Sequence, residues 1–185
     1  RAAEVRRRVD ADFLDERLIR AGKLDTYKAL IFCWGNYIEQ DVQDRINAWM
    51  RMGGTVIYPS YPRGPMLTIE GDETRFRAWE RGDTGEGRFH RFPGDMEPIA
   101  LYGDFIEQHL REISTLHPGT RAMLNAQHPP HVYFSLLRNG RLVALNYNAS
   151  PSTIVLEGGL QVDLPPYAVR VLESHGYTAG TPPAD

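Results

Sequence analysis

With 185 residues and a formal net charge of −3, this chain lacks the basic surplus of a general nucleic-acid or membrane-surface binder. Apolar residues make up 42% and charged residues 24%, as in ordinary globular proteins, and the length fits one medium domain or two small ones. The single cysteine excludes an internal disulfide framework, and no apolar stretch approaches the length of a membrane span.

In chain order, VRRRV (5–9) reads as a short strand, with Arg6-Arg7-Arg8 as a solvated basic edge. The chain opens at Arg1 inside what reads as an element, without an initiator Met or a signal-peptide pattern. The expectation is therefore a fragment, and the lone cysteine favours a reducing, cytoplasmic setting. Asp12 is placed to cap a helix from about Phe13 to Ala21, with Gly22 as its stop. ALIFCW (29–34) is apolar on both alternating faces, which suits a strand covered on both sides. A helix follows at 40–52, its stripe being Val42, Ile46, Trp49 and Met50, and Gly53-Gly54 closes it. TVIYPS (55–60) is the next strand, which completes a strand-helix-strand crossover. YPRGP is a turn, MLTIEGD a strand or extended loop, 73–80 a helical turn around Phe76 and Trp79, and RGDTGEG a turn-rich loop. GRFHRF (87–92) reads as a strand. A helix at 101–114 puts Leu101, Phe105, Ile106, Leu110 and Ile113 on one side and ends before His117-Pro118-Gly119.

Beyond that point the period changes to two. HVYFSLLR and RLVALNYN flank Asn139-Gly140, a strong hairpin signal, and STIVLE and LQVDL flank Gly158-Gly159. YAVRVLES is a fifth strand, and no helix is expected within 131–174. The fold class is α/β: a partial flavodoxin-like parallel sheet with flanking helices, followed by a small antiparallel β module. The expected boundaries are 1–117 for the α/β domain, 118–177 for the β module and 178–185 for a tail.

Cys33 is the first candidate for chemistry, since a cysteine between a strand and a helix can be a nucleophile. Amidotransferase-type folds place theirs on a tight turn between small residues. Here Phe32 and Trp34 flank it, so the expected role is a small buried hydrophobe. Trp34, Asn36 and Tyr37 lie just past one strand's carboxyl end, and Ser60, Tyr61 and Arg63 just past the next. Ligands bind beyond such ends in open α/β sheets, and this aromatic, polar rim suits a carbohydrate ring or a protein partner. His128-Pro-Pro-His131 offers two ligand types without an evident third, and His90 and His109 read as packing residues. No metal or cofactor is expected. Glu86, Asp95 and Glu97 read as solvated turn carboxylates rather than a glycosidase pair.

Three segments, in order, carry a resemblance: LDTYKALIFCWGNYIEQDVQDRINAWMRMGGTVIY, GEGRFHRFPGDMEPIALYGDFIEQHL, and GRLVALNYNASPSTIVLEGGLQVDLPPYAVRVLE. Together they resemble the middle and carboxyl-terminal parts of family-42-type β-galactosidases and related (β/α)8-barrel glycoside hydrolases, over roughly residues 20–175. The resemblance implies an amidotransferase-like α/β domain that is catalytically silent and makes homo-oligomer contacts, a trimer among them. It places Cys33 on a strand ahead of the nucleophile position. It also implies a partner, the catalytic (β/α)8 barrel of the same or a companion chain, and a non-catalytic accessory role here. No residue matches the barrel's paired glutamates, so no catalytic residue is assigned. The rival readings are a freestanding Cys-dependent amidotransferase-like hydrolase and a carbohydrate-binding module using Trp34, Tyr37 and Tyr61.

Overall fold

The computed structural model describes residues 2–33, 35, 37–59, 66–93 and 99–172. These group into two units, one of residues 12–113 and one combining residues 2–11 with those from 114 onward. The first element, α1 (Ala2–Arg8), is a helix where VRRRV reads as a strand. Val5 and Val9 are four apart, a spacing that fits either period, and both are buried. Arg8 donates to Glu4 one turn back at 3.0 Å, support that only a helix can use.

In the first unit, α2 (Glu16–Arg20) is shorter than expected, and Asp15 caps it by accepting the Leu18 N–H at 2.9 Å. Asp12, the expected cap, instead accepts the Tyr27 hydroxyl. Next come β1 (Ala29–Ile31), β2 (Tyr37–Ile38), α3 (Gln40–Arg51), β3 (Thr55–Tyr58), β4 (Leu67–Thr68), α4 (Phe76–Glu80), β5 (Arg88–Arg91) and α5 (Ile99–Arg111). β1, β3 and β5 form a parallel sheet in that order, with Ile31 opposite Ile57 and Tyr58 opposite Arg91. β3 is central and buried along its whole length, as a strand covered on both faces must be. β2 and β4 form a separate short parallel pair.

α3 buries the stripe read from its sequence, plus Gln43, whose Oε1 accepts the Arg75 N–H at 2.8 Å. Phe76 sits among Phe32, Tyr58, Trp79 and Phe89 at ring-centre distances of 4.6–5.7 Å. Edge and tilted ring contacts of this kind add about 0.5–1.5 kcal/mol each beyond burial. On α5, Tyr102, Ile106 and Leu110 are buried, whereas Leu101 is half-exposed. Of the expected face, Ile106, Leu110 and Ile113 are buried, and Tyr102 takes the inward place expected of Leu101.

Two glycines let backbones meet. A Cβ on Gly54 would lie 2.5 Å from the Trp49 ring, and one on Gly87 would lie 2.0 Å from the Met50 carbonyl oxygen. The end of α3, the start of β3 and the start of β5 thus touch through main chain. Glu86 N–H donates to the Arg51 carbonyl at 3.1 Å and Arg88 N–H to that of Gly54 at 3.1 Å. RGDTGEG therefore serves the orphan carbonyls of a helix terminus.

The second unit adds α6 (Pro118–Asn125), β6 (Val132–Leu136), β7 (Leu142–Asn146), β8 (Ser152–Val155), β9 (Gln161–Leu164) and β10 (Val169–Leu172). α6 was not expected. The sequence marks His117-Pro118-Gly119 only as lying past the end of the preceding helix, but His117 caps a new helix by accepting the Gly119 N–H at 3.0 Å, and Pro118 occupies the tolerated first turn. Both hairpins form where Asn139-Gly140 and Gly158-Gly159 place them, and β10 pairs with β7 in the order β10-β7-β6. Ala122, Met123, Phe134, Leu142, Ile154 and Leu164 fill the core between these elements.

The free edge of β6 is covered by the amino-terminal segment. Arg6 donates to the Phe134 carbonyl at 2.6 Å and the Ser135 hydroxyl at 2.8 Å, and the Asp10 carboxylate accepts the Leu136 N–H at 2.8 Å. Arg6 is thus no solvated edge residue, because it meets the unpaired groups an outer strand presents.

Inside the unit, Asn146 is fully buried. Its amide donates to the carbonyls of Ser150, Leu164 and Pro165 at 2.9–3.2 Å. Its carbonyl accepts from Asn148 N–H, Asn148 Nδ2 and the Ser152 hydroxyl at 3.0–3.1 Å. The "NY" run and the Pro-Tyr run are therefore joined by one side chain.

Candidate functional site

Parallel strands share a direction, so their carboxyl ends lie along one edge, where open α/β sheets form their ligand crevice. The β1–β3 ladder continues one residue past β1, with Phe32 N–H donating to the Ile57 carbonyl at 2.9 Å. In this register the next bond would run from position 59 to the Phe32 carbonyl. Position 59 is proline and has no N–H to give. Tyr102 on α5 supplies the missing donor, its hydroxyl donating to the Phe32 carbonyl at 2.8 Å. The YGDF run thus places a phenol that closes the end of the sheet.

The strand consequently stops at Ile31, and Cys33 lies beyond it rather than on it. Cys33 is also half-buried, not fully buried as expected, like the β1 residues before it. Among described non-glycine residues only His131 and Tyr167 have positive φ, so Cys33 does not sit on a strained left-handed elbow.

Of the rim residues, Tyr37 is described. It begins β2 opposite Leu67 and is 64% exposed, while Ile38 beside it points inward. Trp34, Asn36, Ser60, Tyr61 and Arg63 lie outside the described residues, as do Asp95 and Glu97. Glu86 is exposed at the foot of α3.

The structure brings together a different set, on the face where α5 covers β5. His90 and His109 stack with ring centres 3.7 Å apart and planes at 17°. His109 Nδ1 lies 3.3 Å from Glu112 Oε2, and the Phe105 ring meets His109 edge-on at 4.4 Å. His90 Nε2 is buried and has no hydrogen-bond partner among the described residues. Burial pushes the His90 imidazole down to about 4, with repulsion from His109 next in size, Glu112 opposing and Arg88 adding slightly. His90, His109 and Glu112 are, among the described residues, the one group of metal-ligating side chains whose donor atoms converge. His128 and His131 gain no third ligand there. The sequence did carry a signal: His109 and Glu112 are three apart on a helix end, and His90 falls in a strand that such a helix can cover.

Known structures share this architecture. A GH42 exo-carrageenase from Bacteroides ovatus matches 96% of this chain at 12% identity, with a TM-score of 0.59 and 26% of its own length covered. The cold-adapted β-galactosidase from Rahnella sp. R3 matches 92% at 14% identity, with a TM-score of 0.60 and 35% covered. The β-galactosidase from Bacillus circulans sp. alkalophilus matches 92% at 12% identity, with a TM-score of 0.60 and 36% covered. In fold, this chain is similar to part of each of these enzymes.

The chain spans about a quarter to a third of the length of these enzymes. No protein-family model matches it, and no curated protein does. Among the described residues, no helix is long and apolar enough to cross a membrane.

Proposed function

We propose that this chain is an accessory region of a glycoside hydrolase, acting through association rather than bond cleavage. The observation that carries the reading is the fold likeness: 90–96% of the chain aligns with a GH42 exo-carrageenase and with β-galactosidases while covering 26–36% of their length. On this reading the first unit is amidotransferase-like but silent, and it mediates homo-oligomer contacts. The partner is a catalytic (β/α)8 barrel in the same or a companion chain. The placement of Cys33 past β1, without a strained elbow, supports the silent role.

The test is turnover of nitrophenyl galactosides by the purified chain, alongside sedimentation equilibrium. No nitrophenol release and a mass above the monomer are expected. Turnover that a single carboxylate substitution abolishes would sink the non-catalytic reading, and a monomer at every concentration would sink the oligomer contacts. Native-state iodoacetamide labelling of Cys33 should be slow and become fast on denaturation. Fast native labelling would instead favour the cysteine hydrolase.

A further inference from the structure

A strand and a helix end converge on a set of donors to which the glycoside-hydrolase reading gives no role. His90 projects from β5, His109 from the last turn of α5, and Glu112 follows the helix three residues later. We propose that His90, His109 and Glu112 form a binding site for a divalent transition-metal ion, zinc first among them. One donor atom from each residue lies within 4.8 Å of the other two. Two imidazoles and a carboxylate are a donor set that zinc, cobalt and nickel accept, and three protein ligands leave room for water.

The buried His90 Nε2 strengthens the assignment. A nitrogen shut away from water without a partner is costly, and a metal bond would satisfy it. Arg88 lies 3.9 Å from Glu112 Oε2, so capture of a cation displaces or weakens that ion pair.

Capture also needs a small rearrangement. Ligands at about 2.0–2.1 Å around a tetrahedral ion lie roughly 3.3–3.5 Å apart, so the donors must close inward. Each lone pair lies in its ring plane, and the two planes are now stacked. One ring must tilt for both lone pairs to face a single ion.

The test titrates zinc chloride into the full 185-residue chain by calorimetry, with cobalt absorption and the His90 side-chain nitrogen resonance as spectroscopic readouts. A single saturable ion per chain is expected, with a metal-dependent shift of the His90 signal. His90→Asn, His109→Asn and Glu112→Gln should each weaken uptake by at least the roughly tenfold that loss of a mere outer-shell partner costs. His128→Gln should leave it unchanged. Circular dichroism checks that each variant folds. Should His90→Asn unfold, Glu112→Gln decides, since Glu112 is exposed beyond the helix. Absence of saturable uptake at millimolar zinc, or uptake indifferent to Glu112→Gln and His109→Asn, would overturn the site.

Discussion

Replacing Tyr102 by Phe removes one oxygen and keeps the ring, so it isolates the bond that ends the parallel sheet. Tyr102 is fully buried, and its hydroxyl serves the Phe32 carbonyl that Pro59 cannot serve. A hydrogen bond is worth about 1 kcal/mol net, whereas a buried acceptor left unserved costs about 1–3 kcal/mol. The expected loss is thus about 2 kcal/mol, or roughly 8–16 °C in the melting midpoint of a unit near a hundred residues. Urea unfolding read by Trp49 and Trp79 fluorescence reports on this unit, since both indoles are buried in it. A second arm restores a donor. In the Tyr102→Phe background, Pro59→Ala returns an N–H at the correct register and should recover part of the loss. In the wild-type background the same change should bring no such gain, because the carbonyl is already satisfied. A double-mutant cycle that is additive, or a Tyr102→Phe loss below about 0.5 kcal/mol, would refute the reasoning.

Three further outcomes are expected. Asn146→Leu fills similar space but supplies none of the six side-chain bonds, so the second unit should lose about 3 kcal/mol in urea unfolding; a loss under about 1 kcal/mol would contradict the network's role. Gly87→Ala drives a Cβ into the Met50 and Gly54 carbonyls, so a loss of about 2–4 kcal/mol is expected. Hydrogen exchange at Arg88 N–H should accelerate with it, and unaltered protection there would count against the close contact. Arg20 grips the Asp41 carboxylate with bonds of 2.7 and 2.8 Å and holds it below the usual 3.8. That contribution is present above 3.8 and is lost as pH falls through the folded value. Carboxyl NMR should give Asp41 a midpoint below 3.8 that returns toward 3.8 in Arg20→Met; equal midpoints would remove the pair from the account.

Regular patterning made the frame legible. The stripe on α3, the unbroken apolar run of β3 and the Asn139-Gly140 turn each obey a local rule, and each appears where the rule puts it. The failures share a different cause. α1, the Asp15 cap, α6 and the inward Tyr102 depend on partners distant in sequence or on caps that mimic turns. The convergence of His90 with the His109–Glu112 pair was illegible for the same reason, since His90 and His109 are nineteen positions apart by number and meet only after α5 lies over β5. Of the rim that the sequence proposed, Tyr37 alone lies among the described residues, and its exposure leaves it available for contact.

The cover on β6 reaches across 128 positions, from Arg6 to Phe134. Between them lies the whole first unit, so in sequence that unit is an insertion within the second. A ribosome delivers α1 early and β6 late. The helix must wait, unpartnered, while residues 12–113 emerge and can fold. Any shortened chain starting after Ala11 would present an open strand margin to its neighbours, and it would be prone to stack into fibres or swap segments rather than remain dispersed.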